Sequence, residues 1–425
     1  MKSQHLSELG RRTPAPAISW LMHAALVRPD LISLAAGFTD SESLPVAETR
    51  ALLDGVLRPG KSGQAALQYG TTQGDPTLRR LTARHLQRAD GAMWRGGAYS
   101  RDRMLITSGS QQLLYMTAEA LCNPGDIVLV EDPTYFVYLD ILRSHGLRAR
   151  TVRLDRDGLN LEHLEEVLGS LKRSGELRRV KMLYLISYFQ NPTGVTTSAE
   201  KKRGALKLLR QFERHAGHPI YLFKDAAYRE LRFGDEDVPS ALAADDSSGR
   251  VIYTSTYSKP FATGVRVGYG ILPEPVFSAV LRIKGNHDFG TSNLLQQLVA
   301  RALASGVYQK HVARLRDRYA RKARVMKAAL QEFFPAAVEW WEPEGGLYFW
   351  ARLPRGMKSG VKSRVFQSAL QHDVLYVPGE LCYADDPARA KPNHEMRLSF
   401  GSATEKDIRK GIKRLGEVLH RILGQ

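Results

Sequence analysis

The sequence predicts an α/β protein, in which a large domain on a mostly parallel sheet with helices on both faces precedes a smaller C-terminal α/β domain. Three observations carry this expectation. Six short apolar runs, rich in Val, Ile, Leu and Tyr and bounded by Gly, Pro or Asp, fall between residues 103 and 272. Segments of helical period alternate with them. After about residue 305 the texture changes to a long basic helix, further strand-like runs and a terminal helix. Continuously apolar strands alternating with helices are what a parallel sheet buried on both faces requires.

Residues 1–36 read as an N-terminal arm: a polar lead, Pro14 and Pro16, a helix-like ISWLMHAALV and the start of the extended LISLAAG (31–37). The large domain is assigned to 37–305. Its apolar runs are RMLITSG (103–109), DIVLVEDP (126–133), VKMLYLIS (180–187), PIYLFKD (219–225), RVIYTST (250–256) and VRVGYGIL (265–272). Between them lie QQLLYMTAEALC (111–122), LEHLEEVLGSLKR (161–173) and SAEKKRGALKLLRQFERHA (198–216). Ser198 is a fitting N-cap for the last, and Glu200 suits the positive end of its dipole. The small domain, 306–425 with part of the arm, holds a strand in GGLYFWARLP (345–354), a helix near 359–371, a turn at VPGE (377–380), a strand EMRLSF (395–400) and a helix from about 404. In that last helix Ile408, Ile412, Leu415, Leu419 and Ile422 keep helical period.

The chain has 425 residues, 43% hydrophobic and 25% charged, which excludes collagen-like, low-complexity and wholly disordered proteins. No apolar run is long enough for a membrane span, and the N-terminus lacks the apolar centre of a secretory signal. Two cysteines, Cys122 and Cys382, cannot make a disulfide framework or a four-thiolate metal site, which fits a cytoplasmic protein. The net charge of +17 raises nucleic acid as a partner. The excess is concentrated, however: Lys310 to Lys327 carries eight Lys/Arg and one acid. Val312, Leu315, Tyr319, Ala323 and Met326 give that stretch an apolar face, so a solvated basic helix face is the simpler reading. No nucleic-acid reading element accompanies it.

In open parallel sheets, ligands bind beyond the carboxyl ends of the strands. Five successive runs end there in residues able to share one ligand. TSGSQQ (107–112) opens a helix, where small residues allow close approach and free N–H groups attract phosphate. DPTYF supplies Tyr135, and NPTG supplies Asn191. KDAAY supplies the Asp225 carboxylate and the Tyr228 phenol. TSTYSK (254–259) supplies hydroxyls around Lys259, and Arg266 follows. Singly, each reads as a turn, a packing aromatic or surface. Together they call for a ligand with a phosphate (Ser110, Gln111, Thr256, Ser258, Arg266), an aromatic ring (Tyr135) and a basic ring nitrogen (Asp225). It would also carry a phenolic oxygen (Asn191, Tyr228) and an aldehyde (Lys259). Pyridoxal 5′-phosphate (PLP) has all of these.

From about residue 30 onward the chain resembles a fold-type I, PLP-dependent class I/II aminotransferase. It is most similar to the branch of α-aminoadipate, kynurenine and aromatic aminotransferases. LISLAAG, LQYGTTQGDPTLR, SGSQQ, DPTY, NPTG, DAAY, STYSK, EGGLYFW and MRLSF occur in family order, with Asn191, Asp225 and Lys259 each 34 residues apart. The resemblance implies the aspartate aminotransferase-like fold. It implies that Lys259 holds PLP covalently and shuttles the substrate's Cα proton, that Asp225 keeps the pyridine nitrogen protonated, and that Tyr228 and Asn191 bind the ring oxygen. Tyr135 would stack on the ring, with Ser110, Gln111, Thr256 (where serine is usual), Ser258 and Arg266 forming the phosphate cup. Tyr69 would reach the phosphate of a neighbouring subunit, making the protein a homodimer. Arg397 would clamp the substrate α-carboxylate, with Asn191, the Gly37 backbone and Tyr348 lining the substrate site.

Two departures bear on the donor. Where α-aminoadipate enzymes read the distal carboxylate with an arginine of the N-terminal helix, this chain has Trp20, with no lysine or arginine between Arg12 and Arg28. Tyr348 stands where the family often has phenylalanine. Both favour an aromatic or large apolar donor, with 2-oxoglutarate as acceptor and Arg28 the nearest candidate in the arm for its distal carboxylate. The alternatives are another PLP reaction on this fold, such as a β-lyase, decarboxylase or γ-synthase, and a PLP-sensing regulator. The regulator would need a winged helix-turn-helix domain, for which no room is expected before the motifs starting near residue 31.

Overall fold

A computed structural model describes residues 5–28, 30–91, 98–244 and 249–424, with 17, 18 and 22 described through their backbone only. The strands are β1 (Ile32–Ser33), β2 (Met104–Thr107), β3 (Ile127–Asp132), β4 (Arg148–Asp155), β5 (Gly158–Leu159), β6 (Val180–Ile186) and β7 (Tyr221–Asp225). They continue with β8 (Val251–Thr256), β9 (Gly268–Ile271), β10 (Glu339–Trp341), β11 (Tyr348–Arg352), β12 (Val374–Leu375), β13 (Val377–Pro378) and β14 (Glu395–Ser399).

The large sheet runs β2-β9-β8-β7-β6-β3-β4-β5. Neighbours from β8 to β4 are parallel. Strand β9, however, is antiparallel to both β2 and β8, and β5 folds back on β4. The expectation of a mostly parallel sheet holds with those two reversals. The β8–β9 reversal has a local cause: only the loop 257–267 separates the two strands, too short for the crossover that a parallel pair needs. Every residue of β8 and β7 is buried, so these strands read as continuous apolar runs. Strand β4 went unnoticed in the sequence because Arg148, Arg150 and Arg153 interrupt it and only Thr151 and Val152 are buried.

Helices cover the sheet as their periodicity predicts. Ser198 caps the helix Ala199–Ala216 by accepting from the Lys201 N–H; losing such a cap costs about 1 kcal/mol. The basic stretch lies within a long helix, Val307–Phe333, whose five predicted apolar residues are all buried. Its basic side is matched by acids of the same chain: Arg314 to Glu48, Arg316 to Glu230, Arg318 to Asp40 and Glu42, Arg321 to Glu405, Lys322 to Asp40 and Lys327 to Glu342. The local charge excess is therefore largely answered within the fold.

The second sheet is antiparallel, ordered β10-β11-β14-β13. The stretch read as a turn at 377–380 contributes β13, paired to β14, and the helix expected near 359–371 starts later, at Arg364 after the Ser363 cap. The arm joins this region through β1, parallel to β12. Among the described residues no helix is long and apolar enough to cross a membrane.

Candidate active site

The carboxyl ends of β2, β3, β6, β7 and β8 open into a cavity of about 370 Å³, within the range of small-molecule sites. Thirteen residues named from the sequence line it: Gly37, Ser110, Gln111, Tyr135, Asn191, Asp225, Tyr228, Thr256, Ser258, Lys259, Arg266, Tyr348 and Arg397.

At one end, helix Ser110–Leu121 starts after Gly109, so its first N–H groups have no intrahelical acceptors. A Cβ on Gly109, which has φ +76°, would come within 2.5 Å of the Arg266 guanidinium, and one on Gly268 within 2.4 Å of Gly109. Glycine is what lets β9, this helix start and Arg266 meet. Arg266 donates to Ser258 Oγ at 3.1 Å, and the Ser258 N–H donates to Thr256 Oγ1 at 3.1 Å. This cradle of hydroxyls, helix-start N–H groups and one guanidinium suits a phosphate.

In the centre, Asp225 is 5% exposed. It accepts from the Tyr184 hydroxyl at 3.0 Å and the Ala227 N–H at 3.1 Å. Burial pushes its carboxyl up to about 6, with both donors pulling the other way. A buried carboxylate whose partners are a phenol and an amide is suited to a cationic ring nitrogen. Beneath it Glu131 accepts from Ile186 N–H and Gln190 Nε2, and burial pushes it up to about 8. Lys259 Nζ donates to the Gly37 carbonyl at 2.7 Å. Burial, then Arg397 and Arg266, pushes its amine down to about 8. A far larger neutral fraction at neutral pH follows than for an ordinary lysine.

At the other end, Arg397 on β14 is 1% exposed. It donates to Asn191 Oδ1 at 2.7 Å and to the Ala35 carbonyl at 2.6 Å, while its Nε has no hydrogen-bond partner among the described residues. An orphaned buried guanidinium N–H is a ready donor for a carboxylate ligand. The Tyr228 hydroxyl accepts from Asn191 Nδ2 at 3.3 Å and lies 3.0 Å from that of Tyr348. The donor set thus fits PLP group by group: phosphate cradle, buried acid, neutralisable amine and phenol–amide pair.

Three residues singled out in the sequence lie elsewhere. Tyr69 is 82% exposed and meets Phe289 edge-on. Trp20 is 43% exposed and packs against Phe366, outside the cavity. Arg28 pairs with Asp373 at 2.6 Å and donates to the Leu370 carbonyl. Trp20 and Arg28 lean on the small domain, while Arg12 earlier in the arm donates to the Ser144 carbonyl of the large one; the sequence-based placing of Trp20 and Arg28 against the substrate is corrected accordingly. Conversely, Phe38, Leu114, Phe136, Val137 and Thr263 also line the cavity. Leu114 follows Ser110 by four residues on one helix, so helical spacing could have found it. The others carried no chemical signal.

A sheet of this order, a second small sheet and a lysine–aspartate–arginine cavity at the strand ends define a PLP-dependent transferase of the aspartate aminotransferase-like fold. The family model described as aminotransferase class I and II matches residues 29–415, and the chain belongs to that family as a PLP-dependent aminotransferase. It is 36% identical to an aromatic-amino-acid aminotransferase of Thermococcus litoralis over 92% of this chain and 88% of that protein. A kynurenine aminotransferase of Pyrococcus horikoshii, solved with PMP, superposes with a TM-score of 0.89 at 32% identity, covering 99% of this chain and 98% of that one. An α-aminoadipate aminotransferase of Thermus thermophilus, complexed with N-(5′-phosphopyridoxyl)-L-leucine, gives 0.85 at 30%, covering 99% of each.

Proposed function

We propose that this aminotransferase moves the α-amino group of an aromatic or large apolar amino acid to 2-oxoglutarate, with Lys259 as the lysine that carries PLP. The observation behind the site is the single cavity joining Lys259, Asp225, Tyr228 and Arg397. The donor reading is supported by an apolar wall of Phe38, Leu114, Phe136 and Val137 together with Tyr348. Among the described residues lining the cavity, the basic ones are Lys259, Arg266 and Arg397, each already assigned another task. A buried apolar wall gains roughly 1.5–3 kcal/mol from a large side chain, whereas a distal carboxylate without a partner would be desolvated at a cost.

Bound PLP supplies an electron sink for the charge left on the substrate Cα. The chain's own residues do the rest. Ser110, Gln111, Thr256, Ser258 and Arg266 anchor the phosphate, Tyr135 covers the ring face, and Asp225 keeps the ring nitrogen protonated. Asn191 and Tyr228 bind the ring oxygen. Arg397 orients the α-carboxylate, with Gly37 and Tyr348 beside it. Lys259, partly neutral near neutral pH, takes the Cα proton and returns it. In the same reading Tyr69, on the surface beside Phe289, belongs to a cytoplasmic homodimer and serves the neighbouring subunit's site. Its division is an arm (1–36), a large domain (37–305) and a small domain (306–425).

Two measurements test this. Borohydride reduction and peptide mapping should place the cofactor on Lys259; attachment at another lysine refutes the assignment. With 2-oxoglutarate as acceptor, phenylalanine, tyrosine, kynurenine and leucine should exceed α-aminoadipate in kcat/KM. The reverse order refutes the donor reading and leaves the site assignment standing.

A further inference from the structure

We propose that Tyr348 is a positioning residue that ties the carboxylate-binding Arg397 to Tyr228, the phenol assigned to the ring oxygen of PLP. The proposal rests on the assignment of those two residues made above. Tyr348 opens β11 and is 1% exposed. Its ring lies 4.2 Å from the Arg397 guanidinium carbon, a cation–π distance. Its hydroxyl is 3.0 Å from that of Tyr228, with the rings edge-on at 5.6 Å. A Cβ on Gly37 would stand 3.0 Å from the Tyr348 hydroxyl, so glycine there leaves that hydroxyl its place. Asn191 closes the circuit by accepting from Arg397 and donating to Tyr228. Arg397 therefore reaches Tyr228 by two routes, through the Asn191 amide and through the Tyr348 ring and hydroxyl.

Counting protons gives this geometry a direction. Tyr228 has one proton to donate and two lone pairs, one of which receives the Asn191 N–H. Once its proton goes to the ring oxygen, its bond with Tyr348 can exist only with Tyr348 as donor. A phenol that accepts two hydrogen bonds is polarised into a stronger donor. Phenylalanine at 348 would leave the ring under Arg397 and remove that second donor. Burial holds Tyr228 well above the ordinary tyrosine range, with Tyr348 and Tyr135 adding and Arg397 opposing, so it stays a phenol at working pH. Asp225, Lys259 and Arg266 complete the charged groups of the same cavity.

The test is an absorbance titration of bound PLP in the holoenzyme, alongside KM for the preferred donor. In Tyr348→Phe the midpoint of the pH-dependent absorbance change should rise by about 0.1 to 0.3 units, because the lost bond acts on the ring oxygen only by polarising the Tyr228 phenol. KM should stay within about twofold, because the ring under the guanidinium remains. Tyr348→Leu should show the same midpoint shift with a KM raised roughly tenfold. An unmoved midpoint in Tyr348→Phe, or a KM raised there as much as in Tyr348→Leu, overturns the link between Arg397 and Tyr228. A pH-dependent absorbance that persists unchanged in Lys259→Ala overturns the site assignment itself, and the proposal with it.

Discussion

The two ends of the cavity are built differently. The end proposed to hold phosphate and ring hangs on strand ends of one sheet: Ser110 after β2, Tyr135 after β3, Asn191 after β6, Asp225 at the end of β7 and Thr256 at the end of β8. Each ladder fixes its strand's end, and all five residues lie at that end or within five positions of it. The substrate end is assembled from distant segments. Gly37 follows the arm, Tyr348 opens β11 and Arg397 sits on β14, and they meet only because β11 pairs with β14 and the Ser399 N–H donates to the Leu34 carbonyl. The first construction can be read from local motifs; the second depends on how two sheets and an arm dock.

Perturbing the ring end should have the largest effect. Asp225→Asn should lower transamination by several orders of magnitude in steady-state assays, because the ring nitrogen loses its counter-charge. Near-normal turnover would show that this acid does not hold the nitrogen. The same substitution should stabilise the PLP-free fold. The folded carboxyl titrates at about 6 against an ordinary 3.8. Between those values the folded protein binds more protons than the unfolded chain, so stability falls as pH rises through that window. The cost, on the order of 3 kcal/mol, is complete above about pH 6 and absent below about pH 4. Urea unfolding should therefore give Asp225→Asn an advantage at pH 7 that shrinks toward pH 5.

At the substrate end, Arg397→Lys should reduce kcat/KM roughly 10- to 100-fold for donor and acceptor alike, since an ammonium cannot reproduce the guanidinium fork. PLP should remain bound, because the phosphate cradle is untouched. Loss of the cofactor would mean the two ends are less separable than their construction suggests. The smallest effect belongs to the arm. Trp20→Ala should change kcat/KM by less than about twofold, as expected of a side chain outside the cavity. A larger drop would bring the arm into the substrate site.

Local chemistry made the strand ends and ten of the thirteen lining residues legible, because apolar runs announce buried strands and the reacting groups follow them closely; Gly37, Tyr348 and Arg397 came only from the family resemblance. Periodicity likewise revealed the basic helix over Lys310–Lys327, part of Val307–Phe333, and its buried face. Tertiary structure alone decided the pairing of the basic helix with Asp40, Glu42, Glu48 and Glu230, and the course of the arm. Trp20 turns to Phe366 and Arg28 to Asp373 through contacts more than 300 residues apart in the chain. The Tyr228–Tyr348 hydroxyl contact is of the same kind, since no spacing rule relates the loop after β7 to a strand of the second sheet. Such placements depend on which surfaces bury together, and burial is a property of the whole fold, beyond the reach of any one segment.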